Sequence, residues 1–184
     1  MNTNVKVLIA VFVGSFVLAK PSAAATDIYL QIPGFPGEAT AAHFRGDIPL
    51  LSYSQSVQAP ATYGSTGLQG AKPSCGQIVF TKHLDTASPL LIRAAISGHH
   101  ILQATISFVD TQGNGGAPQI NYVVTLNDVV LTSVQQSDSS PAQLTESVSL
   151  IASSFSVDYL PFTVTGAAAT PQQISVNCAS LSTQ

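Results

Sequence analysis

Apolar and polar residues alternate with a period of two in run after run of this chain, and helical spacing shows clearly in one stretch only, Asp85 to Ile101. A chain written this way has sheet faces to bury and a single helix to help cover them. Ser88-Pro89 reads as the helix entry: a hydroxyl to accept an orphan backbone N–H, then a ring whose missing N–H costs nothing in the first turn. Asp85 offers a cap one turn earlier. Leu90, Leu91, Ala94 and Ala95 recur at helical spacing, and Gly98 supplies the left-handed residue that closes the helix.

The strands follow from the same pattern. Asp27 to Ile32 alternates and stops at the breaker-rich Pro33-Gly34-Phe35-Pro36-Gly37. Asp47 to Val57 reads as one strand with an irregular or edge start at Pro49. Gln58 to Ser74 carries prolines and glycines among small polar residues with no apolar period, and is expected to be a loop. Gln77 to Lys82 is a short strand before the helix. Beyond it, Leu102, Ala104, Ile106 and Phe108 are expected to share one face. Gly113 to Pro118 reads as a hairpin connection. Gln119 to Val134 is one long strand, or two with a bulge near Asn127-Asp128. Gln136 to Pro141 turns, Ser147 to Tyr159 is a further strand, and Ile174 to Cys178 is a last β-like piece. Roughly seven or eight short strands and one helix make a sandwich or barrel, mainly β.

Residues 1 to 25 read as a secretory signal peptide. Lys6 gives a basic start, Val7 to Ala19 is apolar, and Ala23-Ala24-Ala25 has the small side chains of a cleavage site. The apolar run is 13 residues long, whereas a spanning helix needs about 20. The expected organisation is a leader at 1–25 and one domain at 26–184, with a C-terminal extension from about residue 161. Cleavage takes Lys6 and Lys20 away and leaves four basic residues against nine acidic ones. With no basic cluster there is no counterion-releasing surface, so neither nucleic acid nor, after cleavage, an anionic membrane is an expected partner. Charged residues are 8 % of the chain; a surface so poor in charge has little to keep copies apart. Cys75 and Cys178 are an even pair in a chain routed to an oxidising compartment, most simply a disulfide, with two buried free thiols as the alternative. It would close a loop of roughly 100 residues, for which the chain-entropy model gives about 4.7 kcal/mol.

No catalytic constellation emerges. His99 and His100 are neighbours, so on a strand they face opposite ways and cannot share a metal in regular geometry. His43 and His83 are distant in sequence. No Gly-x-Ser-x-Gly elbow surrounds any serine. The nine acids sit mostly at strand ends and turns, where acids cap and solvate. Gly113-Asn114-Gly115-Gly116 has no helix after it to make a phosphate loop. The expectation is a protein that is not an enzyme, with no cofactor and no metal.

Phe80-Thr81-Lys82-His83-Leu84-Asp85-Thr86-Ala87-Ser88-Pro89, followed by Ser97-Gly98-His99-His100, resembles the central signature of the Hcp family, the tube proteins of type VI secretion. Asp27-Ile28-Tyr29-Leu30-Gln31-Ile32 with Gly34 and Gly37-Glu38 is similar to that family's first strand and turn. His43 before Asp47-Ile48-Pro49-Leu50-Leu51-Ser52-Tyr53-Ser54 resembles its second strand, with Tyr53 where a tryptophan is common. Tyr122 to Val134 and Leu144 to Leu150 look like later strands. The resemblance implies a closed β-barrel with one flanking helix, a structural role, and assembly into homo-hexameric rings that stack as a tube and can carry a secreted effector or cargo. Asp85, Ser88, Pro89 and Gly98 then read as architecture. The family's tube builders lack a secretory signal, so the leader and cysteine pair mark this chain as an exported relative, secreted or periplasmic. The alternative is a monomeric extracellular or periplasmic binding module that grips a ligand with the Gln58–Ser74 loop.

Overall fold

The computed structural model describes residues 25–70, 72–111, 118–138, 143–162, 168–180 and 182–183. The leader up to residue 24, most of the connection expected at 113–118 and residues 139–141 of the turn expected at 136–141 lie outside the described residues, whereas Gln136 and Ser137 are the end of a strand and not a turn.

Strand β1 (Ala25–Gln31) is the first, and the single expected strand at Asp47–Val57 is instead β2 (Ile48–Leu50), β3 (Ser52–Ser54) and a remote two-residue strand, β4 (Val57–Gln58). The division has a reason. β2 pairs with β1, whereas β3 pairs with β8 (Ile78–His83), so the chain changes partner at Leu51, whose N–H bonds Thr81 O at 2.7 Å. Gln58 to Ser74, expected as a loop, contains the hairpin β5 (Ala61–Gly64) and β6 (Gly67–Gly70), and β4 pairs with β7 (Ser74–Cys75) at its root. Every residue of β5 and β6 is exposed, so the ladder rests on backbone bonds without burial, and no apolar period betrays it. Gly67, at φ 110°, supplies the turn conformation.

Helix α1 (Ser88–Ser97) follows β8, and then come β9 (His100–Thr111), β10 (Gln119–Ser137) and β11 (Thr145–Tyr159), paired antiparallel in chain order. β9 returns to β1, and the first half of β11 returns to β8. The pairings therefore run β2-β1-β9-β10-β11-β8-β3, seven strands forming a nearly closed barrel with one helix against β10. β12 (Gln172–Asn177) takes the second half of β11, and β13 (Ser182–Thr183) pairs with β12. Closure leaves few edges to aggregate.

The core is the barrel's interior, with Leu30, Ile48, Phe80, Ile106, Val124, Leu126, Val148 and Leu150 buried from six strands and Leu91 and Ala94 from the helix. Tyr53, Phe108 and Tyr122 meet edge to face at 5.4 and 5.2 Å beside it. Burial, with Tyr122 near, pushes the Tyr53 phenol pKa up, so its hydroxyl stays protonated and donates to Gln55 Oε1 at 2.7 Å.

One level of the sheet breaks the expected alternation. Ile101 is buried and Leu102 is 86 % exposed, the reverse of the expected face. At the same height β10 passes from Leu126 to Val129 and β11 from Leu150 to Phe155 before the next buried residue. The centre of this row is Asp128, the one described non-glycine residue with positive φ, at 50°. A left-handed residue turns the pleat over, and its neighbours on both sides follow. The strand is continuous here and the bulge expected near Asn127-Asp128 is absent: the register passes through unshifted, and the shifts fall instead between Ile120 and Tyr122 against β9 and between Leu131 and Ser133 against β11.

Candidate functional site

β8 carries Ile78, Phe80 and Lys82 in one inward row, and β11 carries Glu146, Val148 and Leu150 in the row facing it. Lys82 and Glu146 are register partners, so the pleat brings an ammonium and a carboxylate together with both side chains fully buried. Lys82 Nζ lies 2.8 Å from Glu146 Oε1, 2.6 Å from Asp85 Oδ1, 3.0 Å from Ser88 Oγ and 2.8 Å from the His83 carbonyl. An ammonium has three protons, so four oxygens share them. Ser88 Oγ donates to Glu146 Oε1 at 2.8 Å and accepts the Asp85 N–H at 3.1 Å. Asp85 Oδ1 also accepts the Ala87 N–H at 2.9 Å.

The sequence-derived caps are redistributed by this cluster. The N-cap position belongs to Ala87, which makes no side-chain cap bond. Ser88 is the first helical residue, so its expected role as the cap is corrected: its hydroxyl is drawn into the buried lysine and glutamate instead. Asp85 receives the Ala87 N–H and binds Lys82 at once. Pro89 sits in the first turn, and Gly98 closes the helix at φ 59°, with the His99 N–H on Ala94 O at 3.0 Å. The loop before β2 is tied to the same point, since Thr86 gives its N–H to Glu38 Oε1 at 3.1 Å and its hydroxyl to Pro36 O at 2.9 Å. Lys82 and Glu146 carried no site assignment on sequence grounds. Their signal was parity: a charge in each of two otherwise apolar inward rows.

Chemically the cluster is a joint. No ligand reaches a fully buried ammonium, and every charge in it is spent on a partner that positions the helix on the barrel. Buried pairs of this kind stabilise when hydrogen bonds satisfy their remaining lone pairs and protons; the Ser88 hydroxyl and the Ala87 N–H do so for Glu146 Oε1 and Asp85 Oδ1, while Asp85 Oδ2 is buried without a partner among the described residues.

The histidines do not converge. His100 Nδ1 lies 2.7 Å from Asp128 Oδ1, and Ser153 Oγ donates to the other carboxylate oxygen at 2.6 Å. Hydrogen bonds from His100 and from Ser153 hold the Asp128 carboxyl below its ordinary range. The acid stands between the hydroxyl and the imidazole, so Ser153 meets the carboxylate and not the histidine, the reverse of the order in a Ser-His-Asp triad. Among the described residues no three metal-ligating side chains are grouped to hold an ion.

Two further features face outward. Every residue of the arm formed by β5 and β6 is exposed, with Tyr63 at 91 % and Leu68 at 68 %. Cys75, at its root, is bonded to Cys178 just beyond β12.

A family model described as "Type VI secretion system effector, Hcp" matches residues 29–159. Protein hcp1 of Pseudomonas aeruginosa is 31 % identical over 146 residues, which are 78 % of this chain and 88 % of that protein. Among solved structures, a type six secretion system protein superposes with a TM-score of 0.79 at 20 % identity, over 87 % of this chain and 100 % of that one. Hcp1 from Salmonella typhimurium gives 0.71 at 25 % identity, over 87 % of this chain and 99 % of that one.

Proposed function

From the premise that this chain belongs to the Hcp family of type VI secretion tube proteins, a structural family, we propose that it assembles into homo-hexameric rings which stack through the exposed arm. The observation that carries this reading is the arm itself. Two antiparallel strands held out from the barrel, with a tyrosine and a leucine bare at their tip, bury apolar surface only against another molecule. A second copy is the partner in view, because a ring closes by joining two different faces of identical subunits and rings then meet end to end. The low charge of the chain leaves little electrostatic barrier to that association.

The leader at 1–25 and cleavage after Ala25 are part of the same reading. β1 begins at Ala25 and pairs with β9 from there on, so the cut leaves the barrel's strand intact from Thr26. The mature 26–184 chain, with its extension from about 161, then works outside the cytoplasm, secreted or periplasmic, as a non-catalytic ring that can enclose a secreted effector. Electron microscopy and multi-angle light scattering of the purified, oxidised 26–184 chain test this. Hexamers or stacked rings are expected, and a monomer persisting at high concentration overturns it.

A further inference from the structure

We propose that the Cys75–Cys178 disulfide is a redox-operated lock that sets the direction of the arm relative to the barrel and the C-terminal strand. The placement of the bridge carries the inference. β8 and β12 share the same edge of β11: β8 pairs with Thr145–Leu150, and β12 with Ser154–Tyr159. Between them lies a gap at residues 151–153, where the Cys178 N–H bonds the Ser153 carbonyl at 2.9 Å. The disulfide joins Cys75, before the start of β8, to Cys178, after the end of β12, with Cα atoms 5.7 Å apart. It thus binds three things at one junction: the arm's root, the tail strand and the middle of β11.

Little else holds the arm's direction. β5 and β6 are exposed throughout, and the root ladder has two pairs, Val57 with Cys75 and Gln58 with Ser74. The Gly76 N–H bonds Ser56 O at 2.8 Å, and a side chain at Gly76 would collide with the Ser56 hydroxyl. β12 has a six-pair ladder to β11 but little burial: Gln172, Gln173 and Ile174 are exposed, and Ser175, Val176 and Asn177 are only partly covered. Both cysteines are half-buried, within reach of a small reductant. A dithiol, or two molecules of a cytoplasmic tripeptide thiol, supplies two electrons and two protons, leaves as its own disulfide and converts the S–S bond to two thiols. The chain is therefore unlocked in the reducing compartment where it is made and locked after export. An arm held in one direction loses less freedom on docking, so oxidation strengthens association through it. That consequence rests on the stacking role assigned to the arm above; the lock itself does not.

Hydrogen exchange of the folded 26–184 chain, with and without tris(2-carboxyethyl)phosphine, tests the lock. On reduction, exchange speeds up at Cys75, Gly76 and Cys178 and along β12, while β9 and β10 keep their protection. Unchanged exchange at the root and tail overturns the proposal, and so does exchange that speeds up equally everywhere. The Cys75→Ser/Cys178→Ser chain should reproduce the reduced pattern; if that variant does not fold, reduction of the native chain decides alone. Light scattering against concentration then reads the consequence: the reduced chain should need about tenfold more protein for half-assembly. A chain with the arm shortened across 61–70 separates the two claims. If it assembles like the full chain, the stacking role falls and exchange alone judges the lock. If the arm is needed but redox state makes no difference to assembly, the effect of oxidation on association is refuted, and exchange judges the lock.

Discussion

Replacing Lys82 by methionine removes the ammonium that two carboxylates share while nearly conserving volume. Lys82 and Glu146 have side chains with no solvent exposure, and Asp85 has 6 %. The loss leaves a fully buried carboxylate and a nearly buried one facing each other, with only the Ser88 hydroxyl, the distant Gln136 amide and the Ala87 N–H to solvate them. Breaking a buried pair in this way costs about 3–5 kcal/mol, against a total stability of about 5–15 kcal/mol for an ordinary domain. For a domain of this size that is a fall of about 6–20 °C in Tm. With no tryptophan in the chain, circular dichroism during urea unfolding is the direct assay. Lys82→Met combined with Glu146→Leu should recover much of the loss, because the more deeply buried carboxylate goes with its partner and Asp85 keeps the Ala87 N–H. A Lys82→Met cost under about 1 kcal/mol would mean the charges are solvated, contrary to the geometry. Additive single and double variants would mean that the residues are uncoupled, and either result refutes the joint.

Reducing the Cys75–Cys178 bridge should lower stability by about 2–5 kcal/mol, read as a lower Tm in the presence of reductant, since it releases a loop spanning 103 residues. Asp128→Asn should be tolerated at φ 50°, where Asp and Asn are the favoured non-glycine residues, and Asp128→Val should lower the Tm. Because its folded pKa is depressed, the Asp128 carboxylate stabilises the fold above the ordinary aspartate range, and that contribution disappears as pH falls through the lower folded value. Carboxyl NMR titration should show the Asp128 midpoint rising in His100→Ala. Tyr63→Ser with Leu68→Ser should abolish stacking while unfolding shifts by less than about 0.5 kcal/mol, because both side chains are bare in the isolated chain.

The elements that could be read beforehand are those whose burial is periodic. Leu30, Ile106, Val148 and Leu150 announce their strands because one face must be apolar, and Leu91, Ala94 and Gly98 announce the helix and its end. The arm was hidden because a hairpin that buries nothing leaves no pattern, and it read as a loop. Leu102 was placed on the wrong face because alternation assumes an unbroken pleat, and a left-handed Asp128, on a strand paired with its own, turns it over. Ser88 was assigned to the cap from its neighbour Pro89, when the stronger claim on its hydroxyl came from Glu146, 58 positions away.

Strand and helix content, the family signature from Phe80 to His100 and the cysteine pair are local or compositional properties, so the sequence by itself determined them. Tertiary structure decided which charges meet. Lys82 and Glu146 are 64 positions apart, and only the β8–β11 register places them opposite each other inside the barrel. The Ser88–Ser97 stretch is therefore a helix by its own residues, but the buried ammonium on the neighbouring strand sets how it docks. Pairing between distant strands costs chain entropy that no local pattern records, and the nearly closed barrel repays it through the burial it creates.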